Sequence, residues 1–202
     1  MITAQDKILH VANKLGLTSL KDMQASTGAV YDVDTELSGS LFSQATRHLN
    51  PGVTNINENQ FEVNEALLVE NIAFYTRNSS TGVVGNFQIG YGSSAVIVFD
   101  LVIGNKRVMK DTPVFASGSP YVFANVANSN RGTAEAPITA FLPRHQVYME
   151  GAGILIPPQV QWSINYTIFN GVTGAIITPT DDVALGCYLF GTKVLLNFNT
   201  SI

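Results

Sequence analysis

Residues 151–169 read GAGILIPPQVQWSINYTIF. Two glycines open the stretch, Ile154, Leu155 and Ile156 form a short apolar run, and Pro157-Pro158 turns the chain. Strict alternation follows. Val160, Trp162, Ile164, Tyr166 and Ile168 fall on one face, and Gln161, Ser163, Asn165 and Thr167 on the other. A period of two is the mark of a strand with one buried face.

Other segments from residue 60 onward carry the same signature. Phe61 to Glu65 alternates, and Leu67 to Thr76 continues as strand. Ala95 to Ile103 is an apolar run broken only by Asp100; Gly104-Asn105 then signals a turn, with a return strand from Arg107 to Met109. Ile138 to Leu142, Gln146 to Glu150 and Val183 to Phe198 bring the count to roughly eight strands. No helical segment alternates with them, which argues against a parallel α/β sheet. No repeat of fixed period appears, which argues against a solenoid or propeller. The expectation is an all-β fold, an antiparallel β-sandwich of jelly-roll type over residues 60–202. An immunoglobulin-like sandwich is the near rival, but it is usually shorter, with more regular turns.

The first 59 residues read differently, as a helical N-terminal arm and a connector. Ile8, Val11, Ala12 and Leu15 recur at helical spacing, and Gly16 ends the run. Ser19 is placed to cap a second short helix through Leu20 and Met23. Residues 26–59 read as irregular, with a short helix through Leu41, Phe42, Ala45 and His48. An amphipathic stripe on a short helix needs a partner surface, which is the protein's own β domain or a neighbouring subunit.

Only 13% of the 202 residues are charged, against about a quarter in an average soluble domain. Strand-rich composition accounts for part of this deficit. Burial of outer surface against further copies of the chain is the sharper account, because interface cores are depleted in charge. The net charge of −4 argues against a phosphate-gripping protein. The densest basic cluster, Lys106, Arg107 and Lys110 beside Asp111, reads as a solvated hairpin end, so no nucleic-acid-binding residues are assigned. Cys187 is the one cysteine, which leaves no intrachain disulfide; its apolar setting suits a small core residue. Asp6 and Lys7 interrupt any signal-peptide pattern, and no apolar run is long enough to span a bilayer. Synthesis in a reducing cytoplasm is expected.

No catalytic set emerges. His10, His48 and His145 lie at no metal-pair spacing, and the His-x-His of cupin metal strands is missing. No Gly-x-Ser-x-Gly elbow occurs. Asp181-Asp182 reads as a turn pair, and Gly82 to Gly85 and Gly90 to Gly92 lack the lysine and the helix of a phosphate loop. The expectation is a non-enzyme with no metal, no cofactor and no small-molecule substrate. Tyr75, Phe87, Tyr91, Tyr121, Phe123, Trp162 and Tyr166 offer aromatic surface for a carbohydrate platform, but Trp162 and Tyr166 share the apolar face of their strand and suit core packing better.

The back half carries a resemblance. Tyr148 to Pro158 leading into the alternating strand of 161–169, with Val183 to Phe198 as a long closing strand, resembles single jelly-roll virion proteins of tailless bacteriophages and other viruses. The likeness covers about residues 60–200 and is one of pattern. It implies a capsid subunit that self-assembles into a viral or phage shell, synthesised in the host cytoplasm and located in the virion, with itself and other virion proteins as partners. The basic genome-facing arm of many such proteins is missing here, which leaves room for an accessory head-decoration role or a fibre-type module recognising carbohydrate or a host surface. For inter-subunit packing the residues singled out are Ile8, Val11 and Leu15 in the arm and Leu41 and Phe42 in the connector. On that reading, deletion of residues 1–50 leaves a folded domain that does not assemble.

Overall fold

The fold is described from a computed structural model, over residues 4–17, 20, 23–43, 52–56, 58–85, 91–92, 94–115, 146–148, 153–178 and 183–196. Two antiparallel sheets face each other in a sandwich, and one N-terminal helix, α1 (Ala4–Leu15), lies against it. The strands in chain order are β1 (Gln24–Val33), β2 (Ser40–Leu41), β3 (Glu65–Asn78), β4 (Val84–Gly85), β5 (Ala95–Ile103), β6 (Lys106–Phe115), β7 (Gln146–Tyr148), β8 (Ile154–Ile156), β9 (Trp162–Asn170) and β10 (Val183–Leu195). The first sheet runs β1-β10-β3, and the far side of β3 is lined in series by β8, β7 and β4. The second sheet runs β2-β9-β5-β6.

The alternation read in residues 160–169 holds. Trp162, Ile164, Tyr166 and Ile168 are buried, while Asn165 is exposed. They meet Leu185, Cys187 and Leu189 of β10 and Leu67, Val69, Ile72 and Phe74 of β3 in one core. Phe74 and Phe99 join the two sheets with ring centroids 5.1 Å apart. The Gly104-Asn105 turn joins β5 to β6, with Gly104 at φ 61°, as a two-residue hairpin with glycine in its first central position requires. Where β10 passes β3 the register slips at Phe190/Gly191. A Cβ on Gly191 would sit 1.8 Å from the Leu68 carbonyl oxygen, so only glycine fits this bulge.

Three expectations need correction. Residues 26–59 are not simply a connector: β1 pairs with β10 along ten residues, and β2 pairs with β9. Strand β1 is hidden in the sequence because Gly28 and Asp32 interrupt its apolar pattern. Leu41 and Phe42 are not helical. Leu41 is in β2, and Phe42 follows at φ 58°, held by its N–H donating to Asp32 Oδ2 at 2.7 Å; Ala45 and His48 lie outside the described residues. Phe61 makes an isolated bridge to Pro158, Val63 is exposed, and β3 begins only at Glu65. The candidate strand at 138–142 lies outside the described residues, and so does Ser19.

Two buried carboxylates hold the β1–β2 corner. Asp34 accepts from Ser38 N–H (3.0 Å), Ser38 Oγ (3.1 Å), Gly39 N–H (2.8 Å) and the Tyr166 hydroxyl (2.8 Å). Burial, followed by the nearby Asp34 charge, pushes the Tyr166 hydroxyl far above the ordinary tyrosine range, so it stays protonated and donates. This corner seats Leu41 and Phe42 in the core, where Phe42 and Trp162 stand 4.4 Å apart.

Candidate interaction surfaces

The outer face of the first sheet is built from the residues of β1, β10 and β3 that point away from the core. At one end α1 covers it. Val11 is fully buried against Leu68, Val194 and Leu196, with Leu15 packed at the margin. Lys7 pairs with Glu70, which also accepts from Thr192 Oγ1 at 3.1 Å. The helix ends where the Gly16 N–H reaches Asn13 O (3.3 Å) and the Leu17 N–H reaches Ala12 O (2.9 Å), with Gly16 at φ 70°. This is the Schellman pairing that lets glycine stop a helix.

The five residues singled out for contact with neighbours are therefore placed within the chain itself. Val11 is buried under α1, Ile8 and Leu15 are half-buried, and Leu41 and Phe42 lie in the main core. The face of α1 that remains open presents Leu9, 46% exposed.

Beyond α1 the same sheet face is aromatic. Tyr31 and Tyr188 stand 5.3 Å apart, Tyr188 and Phe190 5.4 Å, and Tyr75 and Tyr188 4.7 Å. Tyr75 lies over Gly186, where a Cβ would meet its ring at 2.3 Å. Tyr75 is buried, Tyr31 and Tyr188 are half-buried and Phe190 is exposed. Sequence reading found only Tyr75 of this row. The available signal was the spacing of Tyr188 and Phe190, two apart on the outward face of β10.

The two flanks of the sandwich differ in charge. On the β1 flank a cleft of about 420 Å³ lies between β1 and residues 55–56, 58 and 60–62. Glu58, Glu62, Glu65 and Lys193 line it, together with Val30 and Phe61. Lys193 pairs with Glu65 at 2.9 Å. On the opposite flank the β5–β6 hairpin projects Lys106, Arg107 and Lys110, all exposed. Beside it, a recess of about 410 Å³ is floored by Ile103, Ile154 and Leu155 and edged by His10, Lys14 and Lys106. A cleft wall contributed by distant β10 and β1 leaves no local signal in the sequence.

The charged groups elsewhere are largely engaged. Asp100 accepts from the Asp111 N–H at 2.7 Å and from Arg107 at 3.1 Å. The Asp111 N–H, with Arg107 in support, holds the Asp100 carboxyl below the ordinary aspartate range. Cys187 is fully buried, and burial pushes its thiol well up. Among the described residues no three His, Cys, Asp or Glu side chains gather as a metal set, and no helix is long and apolar enough to cross a membrane. No protein-family model, curated protein or solved structure matches the chain.

Proposed function

We propose that this chain is a virion structural protein, a jelly-roll subunit that self-assembles into a viral or phage shell. The observation that carries the reading is the nesting of strand pairs. Counting β7 and β8 as one interrupted strand and β4 as an adjunct leaves eight. The first pairs with the last (β1 with β10), the second with the seventh (β2 with β9), the third with the sixth (β3 with β7 and β8) and the fourth with the fifth (β5 with β6). A long antiparallel ribbon rolled into two sheets gives this order, and that is the jelly-roll plan of capsid, lectin and cupin domains. Among those uses, the low charged fraction of 13% and the oppositely charged flanks favour a subunit that meets its own copies. Negative-stain electron microscopy of the purified protein is expected to show closed particles of uniform size. Fields holding only single 21.7 kDa chains would count against it.

A second reading, the fibre-type or decoration module, draws on the aromatic row of Tyr31, Tyr188 and Phe190, since sugar rings stack on such surfaces. Co-sedimentation with polysaccharide that is lost in Tyr188→Ala would favour it over the shell; no binding in the unmutated protein removes it.

A further inference from the structure

From the opposed charges of the two flanks, we infer that the acidic cleft on the β1 flank receives the β5–β6 hairpin tip of a second copy of this chain. The inference rests on the shell-subunit reading and names the contact through which subunits join.

Shape and charge agree. The cleft is concave, about 420 Å³, and its wall carries Glu58 and Glu62 exposed to solvent. Glu65 is already matched by Lys193 at 2.9 Å. Glu58 takes only a 3.2 Å bond from its neighbour Gln60, and Glu62 makes no ion pair among the described residues. The hairpin tip is convex, a two-residue turn at Gly104-Asn105 followed by Lys106, all exposed. Arg107 is committed to Asp100 and Lys110 stands 3.8 Å from Asp111, while Lys106 makes no ion pair among the described residues. Among the described residues, uncompensated negative charge therefore faces out on one flank and uncompensated positive charge on the other.

A chain cannot close this contact on itself. The Trp162 N–H donates to Asn59 O at 2.9 Å on one side of β9, and Ile103 pairs with Trp162 on the other. The cleft wall and the hairpin tip thus share one end of the sandwich, with β9 and β5 between them. Three strand spacings of about 4.8 Å each hold Lys106 away from its own cleft. The contact is heterologous, so repeated copies close into rings or continue as open arrays. The hairpin's apolar neighbour Val108, 46% exposed, would be covered in the joint.

Charge reversal in both partners tests this. Lys106→Glu alone and the Glu58→Lys, Glu62→Lys pair alone are each expected to weaken association roughly tenfold, with unchanged circular dichroism because all three side chains are exposed. Mixing the two variants is expected to restore assembly as an alternating array, since each then presents the charge that the other's partner surface lacks. If either reversal fails to fold, Lys106→Gln and Glu62→Gln replace them; each is expected to weaken association, and mixing restores only the pairwise contact between the intact cleft of one and the intact Lys106 of the other, not an extended array. Variants that assemble as well as the unmutated chain, or mixtures that stay dissociated, overturn the contact and leave the shell reading standing. An unmutated chain that never associates overturns both.

Discussion

Tyr166 shows how one side chain serves two layers. Its ring is packed in the core of the second sheet while its hydroxyl donates 2.8 Å to the buried Asp34. Tyr166→Phe keeps the ring and removes the donor, leaving Asp34 one hydrogen bond short in a site where it is only 3% exposed. A hydrogen bond to a buried charged group contributes about 2 kcal/mol, so urea unfolding should show a loss near that size with an unchanged m-value. An unaltered midpoint would mean that the corner is held by the Ser38 and Gly39 bonds alone. Asp100 gives a pH signature of its own. Its carboxyl is held below the ordinary aspartate value by the Asp111 N–H and by Arg107. A depressed folded-state pKa contributes stability that is full above the unfolded value of about 4 and is lost as pH falls through the folded value. The stability gap between the unmutated chain and Asp100→Asn should therefore be widest near about pH 6 and shrink below about pH 4. A gap independent of pH contradicts this. The same carboxylate fixes the bulge at Asp111, which sits at φ 47°.

At the scale of elements, α1, β1 and β2 decide what can be removed. Deleting residues 1–17 takes away α1 and uncovers Leu68, Val194 and Leu196. Burying a side chain such as Val11 is worth about 1.5–3 kcal/mol, and the half-exposed Lys7–Glu70 pair adds at most about 1 kcal/mol. The shortened chain should fold, lose a few kcal/mol and bind a hydrophobic dye. Deleting residues 1–50 also strips β1 from β10 and empties the core of Leu41 and Phe42. That chain should show no cooperative unfolding transition; a cooperative one would place β1 outside the core. Sequence could show that Val11 needed a cover but not whose surface supplies it. Periodicity located β9, which buries alternate residues against one core, and apolar runs located β5 and β10. Both missed β1, where the buried Asp32 and the Asp34 that follows the strand are polar for a tertiary reason, bonding to Phe42, Ser38, Gly39 and Tyr166. The acidic cleft was illegible for the same cause, since its walls come from residues 27–30, 55–56, 58, 60–62, 65, 67 and 193.

For the whole molecule, the nested pairing of eight strands leaves two flanks with opposite charge and a helix seated on the outer sheet face. On the proposed shell role, the low charged fraction of 13% leaves few ionic groups to hold copies apart, and a weak contact repeated around a closed assembly would be strengthened by effective concentration. The packing of α1 on its own sandwich shifts the expected joints away from the arm and toward the β1 flank and the β5–β6 hairpin. Attraction through these charges should also fade with added salt, because exposed pairs are screened within about 10 Å at 0.1 M. The most direct test is sedimentation velocity of the intact protein over a wide concentration range at low and high salt. A self-assembling shell subunit should sediment as large, discrete species that grow with concentration and recede with salt. A single boundary of one 21.7 kDa chain at every concentration and salt level would contradict it.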